Sequence, residues 1–303
     1  MLRDAVRKAV FCVLRWSQLP RAYSALRQRG KVTILLYHDI DPGTFARHLD
    51  YLEKNYVIVS LDDYLSAAAK GRDLGGGKYL VITFDDGHQG NFALRGLFAR
   101  YPGKVTLFLC AGIVGTARGF WFDTAGPDIG ALKRLRNGQR LRVLERAGFV
   151  QDRDRDRRTA LSREEVLALA EVADIQSHTV FHPCLPMCAD AEAAWEIAES
   201  RRLLEAVCGR RVASISYPNG DYSERDIALS RQSGYAAGIT VDHGVNDRTT
   251  DPFRLKRLSV NDTRDMNEFV VKASGLWGAL LRFVARPGHG RMDPVGEEGG
   301  RCG

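Results

Sequence analysis

Short apolar runs alternate with longer stretches of mixed polarity along most of this chain. Val32–Tyr37, Tyr79–Phe84 and Val105–Cys110 are rich in β-branched and aromatic residues and barely interrupted by polar ones. Such runs predict strands buried on both faces of a parallel sheet. Further strands are predicted at Val57–Ser60, Asp174–Ser177, Val212–Tyr217, Ala236–Thr240 and near Leu258–Val260. Between them the pattern favours helices at Thr44–Asn55, from Leu61, at Asn91–Arg100, 163–172, Ala189–Cys208 and Ser223–Ser233. Ser162-Arg163-Glu164-Glu165 reads as a capping box, and Asp62-Asp63 as a helix start, where carboxylates suit the positive end of the dipole. Strands and helices in alternation predict an α/β fold with a parallel sheet.

Three segments depart from this rhythm. Residues 1–30 read as an amphipathic arm, with Val6, Val10, Val13 and Leu14 on one side and Arg3, Arg7 and Lys8 near the other, interrupted at Pro20. A helix packed on the domain fits this arm, and so does a membrane-surface anchor carrying Trp16 and a basic face. Residues 111–160 form an irregular insertion containing Phe120-Trp121-Phe122, a basic helix near 129–147 and a mixed-charge run at Asp152–Arg158. The tail, 287–303, is rich in glycine and charge and reads as disordered. That leaves 31–286 as a single domain.

Charge sharpens the division. Of the net +7, the arm carries +6 and residues 131–163 carry +7, so the remainder is acidic. A nucleic-acid binder more often places its basic stripe on the folded core, and no nucleic-acid partner is expected. Six cysteines without framework spacing argue for reduced thiols. No run approaches the ~18 apolar residues of a spanning helix. The apolar run Ala9–Leu14 is short for a cleavable signal, so the expected location is cytoplasmic or peripheral to a membrane.

Chemistry collects where strands end, as it does at the C-terminal face of α/β barrels. Thr83-Phe84-Asp85-Asp86-Gly87 closes one strand with two adjacent carboxylates, which repel unless a cation or proton separates their roles. Ser177-His178-Thr179-Val180-Phe181-His182-Pro183 follows another strand, and histidines four apart share a face if the segment turns helically. One carboxylate and two imidazoles make a three-ligand site with an open position, leaving the second carboxylate free. A closed site of His178, His182, Cys184 and Cys188 is the alternative, but it leaves the Asp85-Asp86 pair unexplained.

The two motifs together, about ninety residues apart, closely resemble those of the polysaccharide deacetylases of carbohydrate esterase family 4 (the NodB homology domain), over roughly residues 31–265. The resemblance implies a distorted (β/α)7-type barrel and a hydrolase that removes N-acetyl groups from carbohydrate. It implies that Asp86, His178 and His182 hold a divalent metal, usually zinc, and that Asp85 is the general base. Two motifs depart from the family pattern. Where Arg-x-Pro-Tyr is usual, this chain has Ser216-Tyr217-Pro218-Asn219, so the arginine that orients the base is missing. Arg257 is the candidate replacement, and the backbone N–H of Asn219 the candidate oxyanion donor. The family's late Leu-x-His, source of the general acid, is also absent. Leu36-Tyr37-His38 ends the first strand in the same form, which resembles the circularly permuted branch acting on poly-N-acetylglucosamine and makes His38 the expected acid. Tyr217, Pro218 and Trp121 are expected against the sugar.

The expected substrate is therefore a carbohydrate containing N-acetylhexosamine. A lipid- or nucleotide-linked amino sugar and a non-catalytic sugar-binding barrel are the rival readings, and residues 1–29 are a candidate peripheral membrane contact. His48, His88 and His243 are given no ligand role.

Overall fold

In the computed structural model, which describes residues 2–124 and 126–284, the apolar runs close into a barrel. Its strands are β1 (Val32–Tyr37), β2 (Val57–Ile58), β3 (Tyr79–Phe84), β4 (Val105–Leu109), β5 (Asp174–Ser177), β6 (Ser214–Ser216), β7 (Ala237–His243) and β8 (Leu255–Ser259). All their pairings are parallel, in the order β1-β8-β7-β6-β5-β4-β3, and β1 also pairs with β3. A seven-stranded (β/α)7-type ring results, while the two residues of β2 only extend the start of β3.

Alternation along each strand decides what fills this ring. Val32 and Ile34 of β1, Val81 of β3, Phe108 of β4, Ile239 of β7 and Leu255 of β8 meet in one cluster in the interior. The residues between them, such as Leu35, Tyr37, Ile82 and Leu107, belong to the larger core under the surrounding helices. The same inward period, continued to the C-terminal ends, changes from apolar to polar. Val81 leads to Thr83 and Asp85, and Leu255 leads to Arg257, with all three polar side chains buried.

The helices are α1 (Leu2–Trp16), α2 (Leu19–Arg27), α3 (Pro42–Asn55), α4 (Leu61–Ala69), α5 (Arg95–Phe98), α6 (Ile129–Lys133), α7 (Asn137–Arg146), α8 (Arg163–Ala170), α9 (Asp190–Cys208), α10 (Glu224–Gln232), α11 (Met266–Ala273) and α12 (Leu276–Val284). The Ser162–Glu165 capping box opens α8 as expected. A second box, Ser60 with Asp63, opens α4 and ends β2 two residues earlier than the apolar pattern suggests. Helix 91–100 is largely a 3-10 turn over 89–94, with only Arg95–Phe98 α-helical. The basic helix expected near 129–147 is split into α6 and α7. The last strand starts at Leu255, earlier than expected, and α11 and α12 were not legible in the pattern. Phe269-Val270-Val271 looks like strand, but Asp265 caps Asn267 N–H and sets a helix there.

The arm is two helices, with Pro20 in the first turn of α2. It packs on the domain through Phe11, which is buried and lies 4.7 Å from Trp277. Among the described residues no helix is long and apolar enough to cross a membrane. The tail 287–303 lies outside the described residues.

Candidate active site

Asp86, His178 and His182 come together at the C-terminal ends of β3 and β5, all three buried, with one ligand atom of each within 4.8 Å of the others. Nε2 of both histidines lies 3.4 Å from Asp86 Oδ1. That oxygen is buried without a hydrogen-bond partner, while Oδ2 is 3.2 Å from His88 Nε2. His178 Nδ1 sits 2.7 Å from the Ser216 carbonyl. A proton placed there to donate leaves the Nε2 lone pair facing Asp86. An orphaned carboxylate oxygen opposed by two ring nitrogens is a donor set that fits a divalent cation. Burial pulls the His182 pKa down to about 3, which keeps it neutral and able to ligate.

The segment does not turn helically, so the two histidines do not share a helical face. They lie on a loop in which Thr179 and His182 adopt left-handed φ values of 66° and 57°, and Asp86 one of 74°. Such conformations cost energy in residues with a Cβ and persist where the surroundings over-determine them. Here Glu196 of α9, itself buried, accepts the N–H groups of Val180 and Phe181 at 2.8 and 3.0 Å. Trp121 Nε1 donates to the His182 carbonyl at 2.7 Å, and Thr179 Oγ1 accepts from His182 N–H.

Asp85 faces the other way. Both its oxygens lie 2.8 Å from the guanidinium of Arg257, and Ser216 Oγ donates to Oδ2 at 3.0 Å. A guanidinium from β8 thus meets Asp85, while the serine at the motif arginine's usual position joins the same network, accepting from Arg257 at 2.9 Å. Burial would raise the Asp85 pKa, yet the Arg257 charge and then that of His178 hold it below the usual value. A bidentate fork of this kind fixes orientation as well as charge.

His38, at the end of β1, lines the same cavity of about 670 Å³ as Asp85, Asp86, His88, His178 and His182. That volume falls within the ~300–1,000 Å³ of ligand sites. Its Nδ1 is 3.7 Å from Asp262 Oδ2, a carboxylate anchored by the N–H groups of His38 and Asp39. Burial acts to lower the His38 pKa, but Asp262, followed by the charges of Asp86 and Asp85, raises it to about 9. Asp262 is a site residue that the sequence reading did not assign, while His88, read from its place after Gly87 as bordering the site without ligating, does line the cavity. Neither belongs to the motifs read there, although His88 directly follows Thr83–Gly87.

Asn219 lines the cavity at φ 60°, and its side chain turns back to Cys184 Sγ at 3.5 Å. The residues expected against the sugar are elsewhere. Trp121 is 2% exposed and packs with Leu132, Leu144 and Cys184 behind the metal loop. Tyr217 is fully buried against Tyr222, and Pro218 is buried in the turn. Phe122 is the aromatic residue of the insertion that reaches the cavity, its ring 5.0 Å from that of His182. Cys184 and Cys188 are buried in apolar surroundings that raise both thiols' pKa. Among the described residues only Asp86, His178 and His182 form a ligand group, and neither cysteine joins it. His243 lies apart, against α12.

The profile of the polysaccharide deacetylase family matches residues 73–238, more than half of the chain. YxkH of Bacillus subtilis (strain 168), a protein named for this same family, is 23% identical over 249 residues, covering 79% of this chain and 75% of YxkH. Two solved structures share the fold at low identity. The Streptococcus pyogenes deacetylase PplD, determined with acetate, superposes with a TM-score of 0.60 at 18% identity, covering 80% of this chain and 98% of PplD. IcaB from Ammonifex degensii superposes at 0.59 with 19% identity, covering 82% and 98%.

Proposed function

This chain belongs to the polysaccharide deacetylase family, and from that premise we propose a divalent-metal-dependent hydrolase that removes N-acetyl groups from amino sugars of a polysaccharide or glycoconjugate. Asp86, His178 and His182 would hold the cation, most simply zinc, with coordination positions left for water and substrate. When bound, such a cation acidifies water and polarises the acetamide carbonyl.

The chain's own groups then divide the proton work. Asp85, ionised and aimed by the Arg257 fork, takes the proton of the attacking water. The backbone N–H of Asn219 stabilises negative charge on the former carbonyl oxygen. His38, protonated through Asp262, gives its proton to the departing nitrogen, because an unprotonated amine leaves poorly. The C–N bond breaks, a C–O bond forms, and acetate and a free amine are released. We assign the acid to β1, as in the permuted branch, rather than to a motif after the last strand. The support is that β1 pairs with both β3 and β8, the strands that carry Asp85 and Arg257.

The observation that carries this reading is the unpartnered Asp86 Oδ1 facing two imidazole nitrogens, with the Asp85–Arg257 pair beside it. A non-catalytic barrel would have no need of that second, separately oriented carboxylate. Metal analysis of the purified protein tests the assignment. About one divalent ion per chain is expected, lost in His178→Ala and His182→Ala and retained in Asp85→Asn and in the Cys184→Ser/Cys188→Ser variant. Retention in both histidine variants, or loss with the cysteines, rejects it.

A further inference from the structure

Phe11 packs the arm on the barrel, yet most of the arm's large apolar side chains face away from it. Arg7 and Arg15 of α1 lie on the side of α11, bonding Glu268 at 2.5 Å and Asn267 at 3.0 Å, and Glu268 is buried. The apolar positions Val6, Val10 and Val13 recur at helical spacing on the outward face, and Val13 and Trp16 are 69% and 67% exposed. α2 adds exposed Leu19 and Leu26, and α12 adds Leu280, Leu281 and Phe283, the last 92% exposed. Because α1 packs on α2 and α11, and α12 on the same two helices, these side chains gather in one helical layer. Nine of the fifteen large apolar side chains exposed among the described residues lie on α1, α2 and α12.

We propose that this layer docks on an anionic phospholipid surface, with the apolar side chains entering the interface and the surrounding cations meeting the headgroups. Residues 1–30 hold seven basic side chains against Asp4, and Lys8, Arg21, Arg27, Arg29 and Arg282 remain exposed. An apolar strip bordered by cations is the pattern of interfacial helices that lie on a bilayer without crossing it. A second copy of the chain would set the same basic cluster against itself, so charge favours the lipid.

The layer also touches the active site. A cavity lined by Trp277, Leu281 and Arg282 of α12 shares Val241, Ser259 and Asn261 with the cavity of the metal ligands. Docking therefore sets a route to the site beside the bilayer, suited to carbohydrate carried on or held near a membrane. That delivery rests on the deacetylase activity proposed above. Docking does not, since vesicle binding is read without substrate.

Flotation of the full chain with vesicles of phosphatidylglycerol and phosphatidylcholine, against phosphatidylcholine alone, tests it. Binding is expected only to the anionic vesicles. Val13→Asp and Phe283→Ser, both at exposed positions, should each weaken it by about tenfold or more, and Arg21→Glu should weaken it too. All three should keep the wild-type unfolding temperature and acetate release from a soluble substrate. Unchanged vesicle binding by the variants, or no binding by the wild type, overturns the proposal. So does a wild-type dimer in light scattering that Val13→Asp converts to monomer, which would make the layer a contact between copies.

Discussion

Two carboxylates next to each other in sequence are driven apart in chemistry by what each one meets. Asp86 meets imidazoles and Asp85 meets a guanidinium. Arg257→Lys removes the fork while keeping the charge, and lysine does not replace a bidentate arginine. Turnover should fall and the acid limb of the pH–rate profile should move to higher pH, because Asp85 loses its strongest stabilising partner. An unmoved limb would show that Arg257 only packs. In the proposed mechanism His38 sets the opposite limb. Its folded pKa is raised to about 9, so the acid form prevails at neutral pH and is lost as pH rises through that value. Asp262→Asn should bring the alkaline limb down, and His38→Ala should lower turnover on an N-acetyl substrate by about 10²–10⁴-fold while metal stays bound. An activated ester, whose leaving group hardly needs a proton, should suffer less. Equal loss on both substrates would make His38 structural. Asp85, Asp86, His178 and His182 could be picked out in sequence because each sits in a motif, and the fold brings them together. Arg257 was readable only as a candidate, since nothing local marks a residue that acts across a barrel.

Elements position these residues through contacts that sequence patterns do not display. The spacing of His178 and His182 suits a helical turn, but the loop's shape is set by Glu196, eighteen residues after His178 and on another element. Burial raises the Glu196 pKa to about 7, above its unfolded value. The folded state therefore keeps a proton that the unfolded state releases. The stabilising contribution is full below the unfolded pKa and is lost as pH rises through about 7. Thermal denaturation across that window should show falling stability, and Glu196→Gln should flatten the dependence. An identical slope in the variant would remove Glu196 from the account. The strands β1 and β3 were legible residue for residue because they are short, apolar and bounded by turn signals, and β5 also matched although three of its four residues are polar. β2 and β6 came out shorter, and α11 was hidden by a strand-like apolar triplet whose helix is set by the Asp265 cap.

Across the whole molecule, ring closure does what no linear motif can. It places the end of β1 beside β3 and β8, and so brings His38 and Asp85 to one cavity and sets Arg257 against Asp85, from three distant parts of the chain. The alternation of strand and helix was enough to predict a parallel α/β sheet, and the motif resemblance to predict its closure. The outward apolar face of α1 was not readable, because the same amphipathic pattern describes a helix turned either way. The account as a whole stands on one reaction. Acetate release from N-acetylated carbohydrates, polymeric and lipid-linked, should be measured on the wild-type protein before and after chelation and after return of a divalent metal. Release that stops with chelator, returns with metal and is absent in Asp85→Asn is the predicted result. Release unaffected by chelator, or none from any N-acetylated carbohydrate by metal-loaded protein, would contradict it.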